Sequence, residues 1–293
     1  MHQAARPYRS TLYIPGSKTR ALEKARTLSV DAIIFDLEDA VAVEEKENAR
    51  SLLSGELIKG GYGPRASIVR VNGLDTPWGE GDLEAMAEVG PDAILLPKVE
   101  SVEQIARVAQ HLQSNLKCAD TMIWAMMETP KGILNAPALA SADRMGGFVL
   151  GTNDLAKDLG SRFCADRLPL QMSLQTCLLA ARASGIACLD GVYNAYRDED
   201  GLRAECIQGR DLGMDGKTLI HPAQIAIANE IFGPTQEEIE LAHRQISAFE
   251  SARARGEGVA VVDGSIVENL HVETAQATLD KAKAISELEA EAG

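Results

Sequence analysis

The 293-residue chain is short of positive charge: 29 lysines and arginines face 43 aspartates and glutamates, a formal net charge of −14. Nucleic acid and anionic membranes both select a Lys/Arg surplus, so neither is expected as the main partner. Long apolar runs are missing too, and none reaches the roughly 18 residues of a membrane span. The opening stretch Met1–Arg6 lacks the apolar core of a signal peptide, and the expected compartment is the cytoplasm. Cysteine is sparse and scattered, with five thiols at positions 118, 164, 177, 188 and 206 and never a Cys-x-x-Cys spacing. Such a set reads as reduced core thiols, neither a disulfide frame nor a zinc site. Gly-x-Ser-x-Gly, Gly-x-Gly-x-x-Gly and His-Glu-x-x-His are absent, which leaves a nucleophile elbow, a dinucleotide fingerprint and a zincin site unsupported. Gly213–Thr218 falls short of a phosphate loop because the first glycine would have to stand at position 211, which is Asp. Histidines 2, 111, 243 and 271 lie apart and read as surface or packing residues.

What is present is alternation. Short, largely apolar runs at Thr11–Pro15, Ala32–Asp36, Ser67–Val71, Ala93–Pro97, Met122–Met127, Gly147–Gly151, Ala187–Val192 and Lys217–His221 read as strands. Helical patterns at Thr19–Leu28, Glu44–Ile58, Gly81–Val89, Val102–Leu112, Pro130–Ala140, Leu170–Ala183, Glu199–Leu212 and Pro222–Ile231 lie between and after them. Runs such as Ala93-Ile-Leu-Leu-Pro97 are apolar throughout, as expected of a parallel sheet covered on both faces. Eight strand–helix units are the count of a closed (β/α)₈ TIM barrel, over residues 1–233. A doubly wound open sheet is the second choice, weakened by the lack of a Gly-rich first turn. A tail, 234–293, follows. It starts with a helix capped by Thr235 and Glu238, passes through a short strand at Val259–Asp263 and a turn, and ends in a helix over Glu273–Glu291.

In a parallel barrel the C-terminal strand ends share one face, where active sites sit. The residues there are polar: Asp36-Leu-Glu38-Asp39, Arg70, Lys98 to Glu100, Glu128, Asn153-Asp154, Asp190, Asn194 and His221. Glu128 and Asp154 close consecutive predicted strands. Two hard oxygen ligands with room for water and substrate suit Mg²⁺. Asp36, Glu38 and Asp39 could orient metal-bound waters or simply cap the following helix. Arg70 is placed for a bidentate clamp on a carboxylate or enolate, and a salt bridge to Asp36 or Glu128 is compatible with that. Lys18, Arg20, Lys24 and Arg26 form a basic cluster after the first strand, either a dock for a phosphorylated ligand or an ordinary charged surface helix.

Eight segments, in order along the chain, resemble the citrate lyase β-subunit-like / malyl-CoA lyase family. They are Arg9–Ser17, Asp36–Val41, Val69–Asp75, Leu96–Val99, Met127–Pro130, Gly151–Ala156, Asp190–Asn194 and Ile220–Gln224. Gly264–Val272 in the tail is most similar to the malyl-CoA thioesterase branch. The resemblance implies a Mg²⁺-dependent enzyme (Mn²⁺ being an alternative metal) acting on short β-hydroxyacyl-CoA thioesters. It implies Glu128 and Asp154 as metal ligands and Arg70 on the reacting acyl group. Tyr13, Lys18 and Lys24 would contact CoA, with Asn153, Ile220 and His221 lining the pocket. The tail would form a lid over a neighbouring site in a homotrimer or hexamer. Glu268 stands where lyase relatives carry an aspartate acid/base group, and Lys18 where they carry Arg. Hydrolysis to malate and CoA is the expected reaction. Carbon–carbon cleavage through a Mg²⁺-stabilised enolate is the alternative, and a β-subunit role in a carrier-dependent complex ranks third.

Overall fold

The computed structural model describes residues 6–292; His2 and most of the Met1–Arg6 stretch lie outside it. Eight parallel strands close into a barrel in sequence order: β1 (Ser10–Pro15), β2 (Ala32–Asp36), β3 (Ala66–Arg70), β4 (Ala93–Leu96), β5 (Met122–Met127), β6 (Met145–Leu150), β7 (Ala187–Asp190) and β8 (Gly216–Leu219). Closure is direct, with Leu12 of β1 opposite Leu219 of β8.

The apolar strands are explained by two cores separated by the strand period. Ala32, Ile34, Ile68, Leu95, Trp124, Met126 and Val149 fill the inside of the barrel. Ile33, Phe35, Val69, Ile94, Ala125, Met127 and Phe148 point outward under the helices. Successive residues of one strand therefore bury on opposite faces, which makes both faces of these strands largely apolar.

The elements depart from expectation in three places. Thr152–Leu159 is a helix that the sequence pattern did not announce, and it begins directly after β6. The predicted Pro130–Ala140 helix is two short ones, Pro130–Leu134 and Ala136–Ala140, broken at Asn135, with Pro137 in the first turn of the second. The tail hairpin has a second strand: β9 (Ala260–Val262) pairs antiparallel with β10 (Ser265–Val267). Cys164 is exposed, whereas the other four cysteines are buried; all five are unpaired.

The tail helix Gln236–Ala254 starts with the expected capping box of Thr235 and Glu238. It packs on the last helix, Asn269–Ala292, and on β9. The hairpin closes a small core of its own from Ala252, Ala260, Val262 and Val267. The last helix runs beneath the barrel. Glu289 reaches Arg9, just ahead of β1, at 3.0 Å, and Arg9 in turn forks onto the buried Asp31 ahead of β2. Those residues mark the N-terminal ends of the strands, the face opposite the polar rim. Among the described residues no helix is long and apolar enough to cross a membrane.

Candidate active site

At the C-terminal strand ends a cavity of 430 Å³ opens among Tyr13, Asp36, Asp39, Arg70, Glu128, Asn153, Asp154 and Ile220, with Gly151 and Thr152 in its wall. Eight residues from or just beyond six strands thus meet in one place.

Glu128 is the first residue past β5 and only 2% exposed. Its Oε1 accepts the main-chain N–H of Lys98 at 2.8 Å. Its Oε2 lies against Gly151, so close that a Cβ built there would sit 2.6 Å away. Burial pushes its carboxyl up to about 7, because loss of hydration outweighs the Lys98 N–H and the charges of Lys98 and Arg70. Asp154 is half-buried and does not sit on a strand end as expected. It occupies the first turn of the helix Thr152–Leu159, where a carboxylate complements the helix dipole. The turn of helix swings it back to the cavity, which is why the two carboxylates still converge. Among the described residues no third His, Cys, Asp or Glu joins a metal-sized cluster.

Arg70 ends β3 and is nearly buried. Its guanidinium forks onto Asp36, Nε to Oδ1 at 2.7 Å and Nη2 to Oδ2 at 2.6 Å. Nη1 faces Glu38 at 3.0 Å and Asp39 at 3.5 Å, and the Tyr13 ring lies 5.0 Å from the guanidinium carbon. Burial alone would lower the Arg70 pKa, but the bonds to Asp36 raise it well above its ordinary value, so it is a permanent cation. Asp36 also accepts the N–H groups of Glu38 and Ala40. It therefore orients Arg70 and folds its own loop, a tighter job than capping a helix. Glu38 turns away from the cavity and bonds the Lys98 ammonium at 2.7 Å. Tyr13 touches the Met126 sulfur, and burial pushes its phenol far up, so it stays protonated.

Other expected residues lie further off. Lys18 is exposed just past β1, on the rim side. Lys24 is six residues on, in the last turn of the helix Thr19–Ala25, about 9 Å further along the axis. The basic cluster is split, because Arg26 is taken up by Glu56 and the Gly60 carbonyl and lies over the Tyr62 ring. His221 does not line the cavity: Nδ1 accepts the Ala223 N–H, and the ring packs on Tyr196. Asp190, read as a rim residue, is fully buried in ion pairs with Arg167 and Lys217, held ionised by those cations against its desolvation. Glu268 is exposed at the start of the last helix, where its N–H meets His271 Nδ1, and it does not line the cavity of its own chain. A residue that the sequence reading passed over is Gly151, whose missing side chain makes room for Glu128; Asn194, expected at the rim, lines the cavity, and its amide pairs with that of Asn153. A glycine standing between an apolar strand and Thr-Asn-Asp was the available signal for Gly151.

The chain is similar to known proteins along nearly its whole length. A (3S)-malyl-CoA thioesterase of Cereibacter sphaeroides strain KD131 is 61% identical over 286 residues, covering 98% of both chains. The citrate lyase subunit beta of Leuconostoc mesenteroides subsp. cremoris is 37% identical, over 94% of this chain and 93% of its own. The solved CitE of Mycobacterium tuberculosis in complex with magnesium, acetoacetate and coenzyme A superposes with a TM-score of 0.79 at 30% identity, over 96% of this chain and 99% of that one. Residues 9–222 match the profile of one family across the whole barrel. The chain belongs to the HpcH/HpaI aldolase/citrate lyase family.

Proposed function

We propose that this protein is a Mg²⁺-dependent enzyme that hydrolyses (3S)-malyl-CoA to malate and free CoA. The observation that carries the reading is identity of 61% to a (3S)-malyl-CoA thioesterase along the full chain, tail included. The site is suited to it. Glu128 and Asp154 offer hard oxygen donors with positions left for water and substrate, the ligand set that Mg²⁺ favours over Zn²⁺. The charges of Lys98 and Arg70 do not offset the desolvation of Glu128, and a divalent ion would restore it to the charged form. Mn²⁺ suits the same donors.

When bound, the ion supplies a positive centre that holds the acyl carboxylate and polarises oxygen. Arg70 adds a fixed cation on the neighbouring wall, pre-aimed by Asp36, where negative charge develops on the acyl group. In hydrolysis water adds to the thioester carbonyl, the carbon–sulfur bond breaks, and the CoA sulfur leaves with a proton. Tyr13 and Ile220 face the cavity as walls for the thioester arm, and Lys18, just ahead of the first helix, and Lys24, in its last turn, would meet the CoA phosphates. The enzyme works in the cytoplasm, where unpaired thiols stay reduced.

The tail bears on assembly. Its last helix is anchored beneath its own barrel, so Glu268 is presented outward, and we assign it to the site of a neighbouring copy in a homotrimer or hexamer. A second reaction, carbon–carbon cleavage, uses the same groups to stabilise an enolate and is favoured by the likeness to citrate lyase β subunits. Product analysis separates them. Malate plus CoA from (3S)-malyl-CoA supports hydrolysis; glyoxylate plus acetyl-CoA overturns it. A β-subunit role requires co-purifying α and acyl-carrier subunits in stoichiometric amounts.

A further inference from the structure

Lys98, two residues past β4, has a backbone φ of +48°, in the left-handed region that side chains disfavour. Glycine would make this turn freely, whereas a lysine stays there only where its surroundings hold it. Two bonds do so. The main-chain N–H donates to Glu128 Oε1 at 2.8 Å, and the ammonium donates to Glu38 Oε1 at 2.7 Å. The other oxygen of Glu38 is buried without an aligned hydrogen bond, 3.0 Å from Arg70 Nη1. Arg70 in turn is forked onto Asp36. One residue from β4 thereby joins the carboxylate that follows β5 to the loop that follows β2 and the arginine that ends β3.

The geometry points to Lys98 as a positioning residue that fixes Glu128 with its backbone and the Glu38–Arg70 pair with its side chain. This rests on the reading of Glu128 as a metal-holding carboxylate. Lys98 does not line the reaction cavity, and its side chain is half exposed, so it acts through its partners and not on substrate. The strained turn aims N–H and ammonium at two acids at once. With the ammonium gone, Glu38 has Arg70 as its near cation and competes with Asp36 for it, which loosens the clamp in the cavity. With the backbone freed, the N–H drifts from Glu128.

The two halves separate by substitution. Lys98→Met keeps the disfavoured backbone and removes the charge; Lys98→Gly removes the charge and relaxes the backbone; Lys98→Arg keeps both. With (3S)-malyl-CoA and Mg²⁺ as probes, Lys98→Met raises KM and lowers kcat/KM by about 10- to 100-fold, the range for losing a group that orients a ligand. Its Mg²⁺ half-saturation stays near wild type. Lys98→Gly shows the same loss with a raised Mg²⁺ half-saturation, at an unfolding temperature no lower than wild type. Lys98→Arg recovers most of the activity. A purely structural lysine would move the unfolding temperature and leave these parameters alone. Full activity and normal Mg²⁺ dependence in Lys98→Met and Lys98→Gly, beside an inactive Glu128→Gln, overturn the positioning role only. Full activity in Glu128→Gln as well overturns the metal-site reading and this role with it.

Discussion

Gly151 packs so tightly on Glu128 that a methyl group at position 151 would lie 2.6 Å from the carboxylate oxygen Oε2 and nearer still to the Glu128 Cβ. Real Cβ atoms essentially never come that close, and the nearest obstacle is the Glu128 Cβ, which cannot move without its backbone. Gly151→Ala should therefore displace Glu128, at a cost of about 1–3 kcal/mol in stability for the overpacking. Turnover should fall by at least about tenfold through misplacement of the carboxylate. Chemical denaturation and a steady-state assay check both. Wild-type turnover would show that the carboxylate can shift without consequence.

Glu128→Gln and Asp154→Asn keep the shape of the site and remove its negative charge. Each should lower turnover by at least about a hundredfold, in line with loss of a group that holds charge in the reacting complex. Thermal unfolding should stay near wild type in Asp154→Asn and be no lower than wild type in Glu128→Gln, because among the described residues neither carboxylate carries a salt bridge and the amide avoids the cost of burying the Glu128 charge. Magnesium titration followed by activity is the measurement.

Acidity should be felt through Glu128. Its carboxyl titrates near 7 in the folded, metal-free chain, above the ordinary 4.5. A raised acid favours the fold fully below about 4.5, and the contribution is lost as pH rises toward 7, a decline of about 3 kcal/mol. Denaturant midpoints of chelated protein at pH 5 and pH 8 test the sign. Magnesium needs the ionised form, so its apparent affinity should climb over the same window, with proton release.

Arg70 and Asp36 form a buried, bidentate pair. Asp36→Ala strands the arginine and should destabilise by about 3–5 kcal/mol. Arg70→Lys keeps the charge but not the fork, and should raise KM for the thioester more than it lowers stability. Equal KM in the lysine variant would detach Arg70 from substrate binding.

The underside offers a control. Asp31 is fully buried and forked by Arg9, so Asp31→Ala should cost about 3 kcal/mol with kcat and KM unchanged. A change in KM would mean that the two faces communicate.

Strand positions were readable because both faces of each strand are covered, which writes runs such as Ala32-Ile33-Ile34-Phe35 into the chain. The helix Thr152–Leu159 was not, since Thr-Asn-Asp at a strand end looks like any solvated loop. Glu128, Asp154 and Arg70 stand out as charges that close apolar runs. Lys98 looked the same as those, and only its backbone conformation separates it from an ordinary rim lysine. Gly151 was hidden because the sequence names the missing side chain but not what fills the gap. The basic cluster was legible only as two alternatives, a phosphate dock or a charged surface helix, and the sequence does not say that Arg26 is spent on Glu56.

The chain uses its final 24-residue helix as flooring, pinned to Arg9 near its end. A carrier protein or affinity handle joined to the carboxyl end would therefore exit on the blind side of the molecule. Immobilising the protein by that end should leave the mouth of the cavity facing the solution.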